Sequence, residues 1–219
     1  MALISTKRAS LLGQSLVLAP ERYHPRRSIT SQVESVSLGE IVSIIRKTVQ
    51  PSETLGACLV LDTSDAREGI IIGRKQQTND IGSTKKSLEP RDVIISRLRP
   101  YLRQVAFVDD GIPNLDGAML LCSTEYFVLR SSDSQSIAFL VPFLLSEQVQ
   151  EVLAASQEGG HHPRFDDSTL LTLPIPIRLI ENREDVSAAV EQSVAMYRRS
   201  EIVIDGLVAD TNSALSKMR

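Results

Sequence analysis

The chain of 219 residues contains only two cysteines, three histidines and no long uninterrupted apolar run. A membrane-spanning helix needs about 20 consecutive apolar residues, so the sequence predicts none. Cys58 and Cys122 lie far apart in the sequence, without the spacing of a metal site, and both have apolar neighbours. We therefore expect two buried, reduced thiols in a cytoplasmic protein rather than a disulfide framework.

Motifs for catalysis are also missing. The chain contains no GxSxG, GxxxxGK or GxGxxG pattern and no Asn/Asp-Pro-Pro-aromatic signature. These absences argue against a serine hydrolase, a phosphate-binding loop and a base methyltransferase. His161-His162 with Asp166-Asp167 suggests a metal site or a hydrolase, but adjacent loop histidines point in different directions and no HExxH or CxxC spacing supports them. We expect no catalytic residue, metal ligand or cofactor in this chain.

Charge is unevenly distributed along the chain, whose formal net charge is −3. Segment 67–103 contains nine Lys or Arg residues against four Asp or Glu, which leaves +5, so the remainder carries −8. A segregated basic patch on an acidic protein is compatible with a surface that faces DNA.

The centre of this basic segment, 92–108, reads DVIISRLRPYLRQVAFV. Its two apolar ends predict two β-strands, and Pro100 breaks any helix between them. The turn would present Arg97, Arg99 and Arg103, whose guanidiniums suit contacts with phosphates or guanine edges. The alternative is an ordinary solvated turn, or arginines paired with carboxylates inside the fold.

Other patterns predict the remaining elements. Ser37 and Glu40 form a capping box that starts a short helix over 38–47. A change of apolar period predicts a helix over 137–155, and GGHHPR after it predicts a polar loop. The other expected segments are strands at 57–62, 69–73, 118–121 and 125–129, an exposed basic loop at 74–87 and a proline-punctuated edge strand at 170–177.

From residue 183 to the end, one helical pattern runs without proline. It predicts a coiled-coil-type helix that pairs with a partner helix or packs on its own domain, although Gly206 weakens the pattern. The predicted seam consists of Val190, Val194, Tyr197, Ile204, Val208, Leu215 and Met218.

Five stretches in a fixed order, DVIISRLRPYLRQVAFV, STEYFVLRS, FLLSEQVQEVLA, GGHHPR and LLTLPIPI, lead into that long helix. In this order they resemble the target recognition domain of type I restriction–modification specificity subunits. The resemblance covers about residues 36–177 and implies an α/β (α+β) fold. Its expected layout is a lead-in at 1–35, one recognition domain with a curved, mostly antiparallel sheet at 36–180, and a spacer helix at 181–219.

The resemblance also implies a role without catalysis. Such a subunit would direct a partner DNA adenine methyltransferase, which itself binds S-adenosylmethionine, and sometimes a restriction subunit, to a site on double-stranded DNA. Family members carry two recognition domains, whereas this chain has room for one. We therefore expect a half-size subunit that homodimerises through its last helix and recognises a palindromic split site. A fragment, or a module of a related phage-defence system, fits the same length.

On this interpretation the DNA contacts come from basic side chains in two loops and the arginine turn. The candidates are Arg74, Lys75, Lys85, Lys86, Arg97, Arg99, Arg103, His161, His162 and Arg164. The alternative is a non-catalytic interaction scaffold of a defence complex with weak or no DNA specificity. The acidic balance outside 67–103 fits that alternative.

Overall fold

The computed structural model describes residues 24–29, 33–53, 56–73 and 75–217. Most of the predicted lead-in lies outside these residues, as do Arg74 and Met218. The described strands are β1 Ser35–Ser37, β2 Val42–Ile44, β3 Thr48–Val49, β4 Cys58–Leu61, β5 Ala66–Arg67, β6 Ile70–Ile71, β7 Lys85–Ser87, β8 Val93–Ser96, β9 Val105–Phe107, β10 Met119–Ser123, β11 Tyr126–Ser131 and β12 Pro174–Pro176. The described α-helices are α1 Leu38–Ile41, α2 Leu140–Leu145, α3 Glu147–Ala155, α4 Asp167–Leu171, α5 Ile177–Glu181 and α6 Arg183–Ser216.

One four-stranded sheet has the order β2-β11-β8-β9 and is antiparallel throughout. Side chains alternate between its two faces. In β8, Val93 and Ile95 pack into a cluster with the helices, whereas Ile94 packs into a second cluster with β4 and β10. Because this sheet is covered on both faces, its strands are apolar at successive positions, which explains the run that predicted β8.

The second four-stranded sheet has the order β3-β7-β10-β4, and only β4 and β10 run parallel. Together the sheets and helices confirm the predicted class, a mixed α/β domain with mostly antiparallel strands, although the described strands form two four-stranded and two two-stranded sheets rather than one. The predicted loop over 74–87 is wrong at Lys85–Ser87, which form an interior strand of this sheet. Lysine stems are long enough to cover apolar surface while the ammonium reaches polar groups, so two lysines do not exclude a strand.

Two predicted helices are shorter than expected. The Ser37 amide donates to Glu40 Oε1 at 2.9 Å, so the helix starts as predicted. It ends after one turn, because the next residues form β2 and pair with β11, and this tertiary pairing overrides the local helix pattern. The predicted helix over 137–155 is divided into α2 and α3 at Ser146, which has an extended ψ of 146°. The Ser146 hydroxyl donates to the Phe143 carbonyl at 2.7 Å, a side-chain bond that competes with helix continuation.

The proline-punctuated segment is also only partly a strand. Leu170 and Leu171 end α4, and β12 begins at Pro174. Within the described residues β12 pairs only with β1, and this edge position suits prolines that cannot donate to a ladder.

The 34-residue helix α6 confirms the predicted long C-terminal helix. Ion pairs and apolar contacts hold its first half on the domain. Arg183 donates to both oxygens of Asp133 at 2.6 and 2.9 Å. Arg198, buried at 6% exposure, lies between Asp109 at 2.9 Å and Glu201 at 2.8 Å.

Candidate nucleic-acid interface

The turn between β8 and β9 carries the three arginines that the sequence singled out. Pro100–Leu102 form a 3-10 turn, and Arg99 and Arg103 on either side have φ angles of 46° and 52°. The Arg99 side chain is exposed, and none of the described residues forms an ion pair or hydrogen bond with it. Arg103 Nε lies 3.6 Å from Glu68 Oε1, so this arginine turns toward β5 and β6.

Glu125, in the short turn between β10 and β11, joins two of the candidate residues. Its carboxylate accepts two bonds from Arg164, from Nε at 2.8 Å and from Nη2 at 2.6 Å. Arg97 Nε is left 3.7 Å from the same carboxylate and has no hydrogen-bond acceptor among the described residues. The hydrogen bonds from Arg164, which outweigh the effect of burial, hold the pKa of Glu125 below its usual value. Arg164 is therefore committed to an internal pair, whereas Arg97 is only loosely compensated.

Arg97 lines a cavity of about 330 Å³ that we call the basic cleft. Its lining residues are Ile44, Arg46, Lys86, Arg97, Phe127, Asp166 and Asp167. The Arg97 guanidinium and the Lys86 ammonium lie 5.7 and 5.6 Å from the centroid of the Phe127 ring, a distance typical of cation–π contacts. The Phe127 ring packs in turn against the Phe165 ring, with the two ring centroids 5.6 Å apart.

Lys86 projects from β7 into the cleft, where its ammonium donates to the Tyr126 carbonyl at 2.5 Å. Burial lowers the pKa of Lys86, and the positive charges of Arg97 and Arg46 lower it further. The Tyr126 hydroxyl donates to the carbonyls of Thr63 and Asp62 at 2.9 and 3.1 Å, which ties β11 to the turn after β4. Tyr126 is thus part of the scaffold that positions Lys86.

Arg46 belongs to the basic cleft although the sequence analysis did not single it out. It follows β2, and its guanidinium is paired with the carboxylate of Asp167 at the start of α4. In the sequence, the basic pair Arg46-Lys47 follows an apolar strand, and this pattern could have identified Arg46 as a candidate. It was not recognised because residues 38–47 were interpreted as one helix.

The loop GGHHPR lies beside the arginine turn. Backbone bridges pair Arg164 with both Leu98 and Glu158, so the loop is held at its base. Gly159 has a φ of 103°, a conformation that side chains other than glycine rarely adopt. His161 and His162 are exposed at the tip. The two candidate histidines and Arg99 therefore project from neighbouring loops next to the basic cleft.

Two other candidate lysines lie apart from this group. Lys75 pairs with Asp65 at 2.9 Å and Asp62 at 3.3 Å. Burial alone would lower the pKa of Lys75, but these two carboxylates outweigh it and raise the pKa above its usual value. Lys85 alternates with Lys86 along β7 and donates to Ser83 Oγ at 2.8 Å. Arg74 lies outside the described residues.

The described ranges contain no group of three or more His, Cys, Asp or Glu side chains that could hold a metal ion. No helix in the described part of the chain is long and apolar enough to cross a membrane.

The predicted seam of α6 divides into two halves. In the first half, Val194 is buried at 3% exposure and Val190 and Tyr197 are partly buried on the domain. In the second half, Ile204, Val208 and Leu215 are 57%, 52% and 57% exposed. The helix thus packs on its own domain at its start and presents an apolar stripe beyond it.

Comparison with known proteins identifies the fold. No family model and no curated protein matches the sequence. One match is a chain from a structure that describes complex assembly and conformational transition of the type I R-M system. Its TM-score is 0.57 and its identity is 22%, and the match covers 86% of this chain and 50% of that chain. The HsdS subunit from Thermoanaerobacter tengcongensis matches with a TM-score of 0.53 and 22% identity over 85% of this chain and 48% of its own.

The chain therefore spans about half the length of the solved chains it matches. At this level of identity the likeness concerns the fold, and it confirms the fold that the five sequence stretches implied. The fold of this chain, a mixed α/β domain followed by a long helix, is similar to that of the HsdS subunit.

Proposed function

We propose that this chain is the sequence-specific DNA recognition subunit of a type I-like restriction–modification or related phage-defence system. The observation that carries the proposal is the convergence of Arg46, Lys86 and Arg97 on one cleft, with Arg99 and the GGHHPR loop projecting beside it. This basic face stands on a scaffold whose fold is shared with a specificity subunit.

The geometry suits double-stranded DNA. Exposed arginine side chains on a protruding turn can reach guanine edges in the major groove, and histidines can donate to phosphates or bases. Arg99, His161 and His162 are exposed at the tips of two loops whose bases are joined by backbone bonds. We therefore assign sequence recognition to these tips and attachment to the backbone to the cleft behind them.

The catalytic step belongs to a partner in this proposal. A DNA adenine methyltransferase subunit would bind S-adenosylmethionine and modify the site that this chain selects, in the cytoplasm, and a restriction subunit could join the same complex. This chain would supply no catalytic residue and no cofactor.

We further propose that two copies assemble through α6. The exposed stripe of Ile204, Val208 and Leu215 continues the face on which Val190 and Val194 lie. Along that first half runs a largely apolar groove of about 930 Å³, lined in part by Leu145, Val186 and Val190. Two copies also approach the length of the matched chains, because each copy spans about half of one. A two-fold dimer would recognise a palindromic split site.

The test is selection from a pool of random DNA duplexes, with the full chain alone and with the methyltransferase subunit co-purified. We expect enrichment of one split palindromic sequence, and loss of enrichment with a His161→Ala/His162→Ala variant. Equal binding to all sequences, with no enrichment in either sample, would contradict the proposal.

The alternative is an interaction scaffold without useful DNA specificity. The observation in its favour is the apolar surface of the second half of α6, where Ile202, Val203 and Leu207 are exposed at 70%, 58% and 58% in addition to the stripe. A stable complex with the methyltransferase that shows weak, salt-insensitive DNA binding would favour the scaffold over the recognition subunit.

A further inference from the structure

The basic cleft contains two cations, Lys86 and Arg97, that no carboxylate of the described residues binds through a hydrogen bond; the Glu125 carboxylate lies 3.7 Å from Arg97 Nε. Arg46 forms an ion pair with Asp167. Arg164, which lies outside the cleft, donates hydrogen bonds to both carboxylate oxygens of Glu125. Lys86 is bonded to a neutral carbonyl, and Arg97 Nε has no acceptor among the described residues. A buried donor without an acceptor costs free energy that a bound anion would recover.

Three separate elements bring these cations together. Arg46 follows β2, Lys86 lies in β7 and Arg97 follows β8. Like charges repel at short range, and the lowered pKa of Lys86 records that repulsion together with burial. The Phe127 ring holds both Lys86 and Arg97 by its face, so they cannot separate without losing that contact.

We infer that the basic cleft is an anion site that takes one phosphodiester group, with Arg97 and Lys86 as its ligands and Phe127 as its floor. The inference rests on the proposed function for the source of that group, which is a backbone phosphate of the bound duplex. It separates this pair from Arg99, His161 and His162 in role: the pair attaches the protein to DNA of any sequence, and the tips select the sequence.

Two carboxylates define how the anion would lie. Asp166 and Asp167 line the side of the cleft next to α4. Asp167 is paired with Arg46, so Asp166 is the carboxylate that would repel a phosphate there. The phosphate would therefore lie on the Arg97 side, where guanidinium and ammonium donors are both available. Arginine presents parallel donors that match two phosphate oxygens, and lysine adds a point charge.

The first arm of the test uses DNA. Affinity of the full chain for the selected duplex and for an unrelated duplex is measured over a range of salt concentrations, for the wild type, Arg97→Gln and Lys86→Gln. Each lost phosphate contact reduces the slope of log affinity against log salt by about 0.9. We expect that reduction with both duplexes, and an unchanged ratio between them. Lys86→Arg should restore the slope, and Arg199→Gln, at an exposed position on α6 outside the cleft lining, should leave it unchanged.

The second arm uses dimethyl phosphate, which carries the phosphodiester group without bases. We expect it to shift the NMR signal of the Arg97 Nε–H, and to do so much less in Lys86→Gln. Acetate serves as the control for a protein carboxylate. A shift with acetate that equals or exceeds the shift with dimethyl phosphate would overturn the inference in favour of a partner protein's acidic side chain.

The two arms separate the outcomes. If the wild type selects a sequence but the variants keep its salt slope, the phosphate site is wrong and the recognition function stands. If the variants change the ratio between duplexes instead of the slope, the pair contacts bases and the inference is equally wrong. If no duplex binds but dimethyl phosphate still shifts Arg97, the anion site stands and the proposed function fails.

Discussion

Arg164 and Glu125 form a two-bond ion pair that joins the GGHHPR loop to the turn between β10 and β11. The two residues are 39 positions apart in the sequence, and no local sequence pattern predicts their contact. The pair fixes the base of the loop that carries His161 and His162. Arg97 Nε lies 3.7 Å from the same carboxylate without a hydrogen bond, so Arg97 rather than Arg164 is available for the proposed contact with DNA.

Breaking this pair should lower stability in a pH-dependent way. The pKa of Glu125 is depressed in the folded protein, so the pair stabilises the fold above the unfolded pKa and this contribution is lost as pH falls through the folded pKa. We expect Glu125→Gln to lower the free energy of unfolding by about 1 kcal/mol at pH 7, because the pair is partly solvated. Denaturation at pH 7 and below pH 4 checks this: the difference between variant and wild type should shrink in acid. A constant difference would contradict it.

The sequence predicted the architecture where the pattern of burial was local. The β8–β9 hairpin followed from apolar runs on either side of Pro100, and α6 from its unbroken helical period. It failed where partners are distant: β2 was interpreted as helix because its pairing with β11 is not visible locally, and that error concealed Arg46. The pairing of Arg164 with Glu125 was likewise not visible locally, because Glu125 lies in another strand connection, and a contact of Arg164 with DNA stays a prediction.

Dimerisation should depend on the exposed apolar stripe in the second half of α6. Val208→Asp with Leu215→Asp places two charges in the exposed stripe, so we expect the mass in solution to fall to that of a monomer without loss of fold. Ile202→Asp is the control, because Ile202 is also exposed, at 70%, but lies on another face of the helix. Multi-angle light scattering gives the masses. An unchanged dimer in the double variant would remove this stripe from the interface. Val194 is unsuitable for this test, since it is buried on its own domain.

The contact between α6 and the domain should depend on Arg198. The Arg198 side chain is 7% exposed and paired with Asp109 and Glu201, so its removal leaves two carboxylates without their cation. Breaking a buried pair costs about 3 kcal/mol or more, and we expect a loss of that size for Arg198→Met in chemical denaturation. Arg199→Met, at an exposed position beside it, should change stability by less than about 0.5 kcal/mol. Equal effects would mean that the ion pairs do not hold the helix.

Alkaline pH should destabilise the protein through Cys122. Burial raises the pKa of this thiol from 9.0 to about 12. Since the unfolded thiol ionises first, stability falls as pH rises above 9 and the loss continues toward the folded pKa. The shift predicts a loss of about 1 kcal/mol between pH 8 and pH 10 for the wild type that Cys122→Ala does not show. Parallel pH profiles for the two proteins would contradict the burial of this group.

Two arginines of the candidate interface should respond in opposite ways to the same substitution. The Arg99 side chain is exposed and unpaired among the described residues, so Arg99→Gln should leave the free energy of unfolding unchanged. The same variant should reduce discrimination between the selected duplex and a single-base variant of it by about 1–3 kcal/mol, which is the contribution of one bidentate base contact. Arg164→Gln should lower stability by about 1 kcal/mol, because it breaks the pair with Glu125.

These two variants form a control for each other, because each removes one arginine charge from the same face. Thermal unfolding and competition binding, done on both, separate the roles. A loss of discrimination with Arg164→Gln at full stability, or a loss of stability with Arg99→Gln, would reverse the assignment. The first outcome would mean that the internal pair opens when DNA binds and that Arg164 reaches the bases. The second would mean that Arg99 has a structural role.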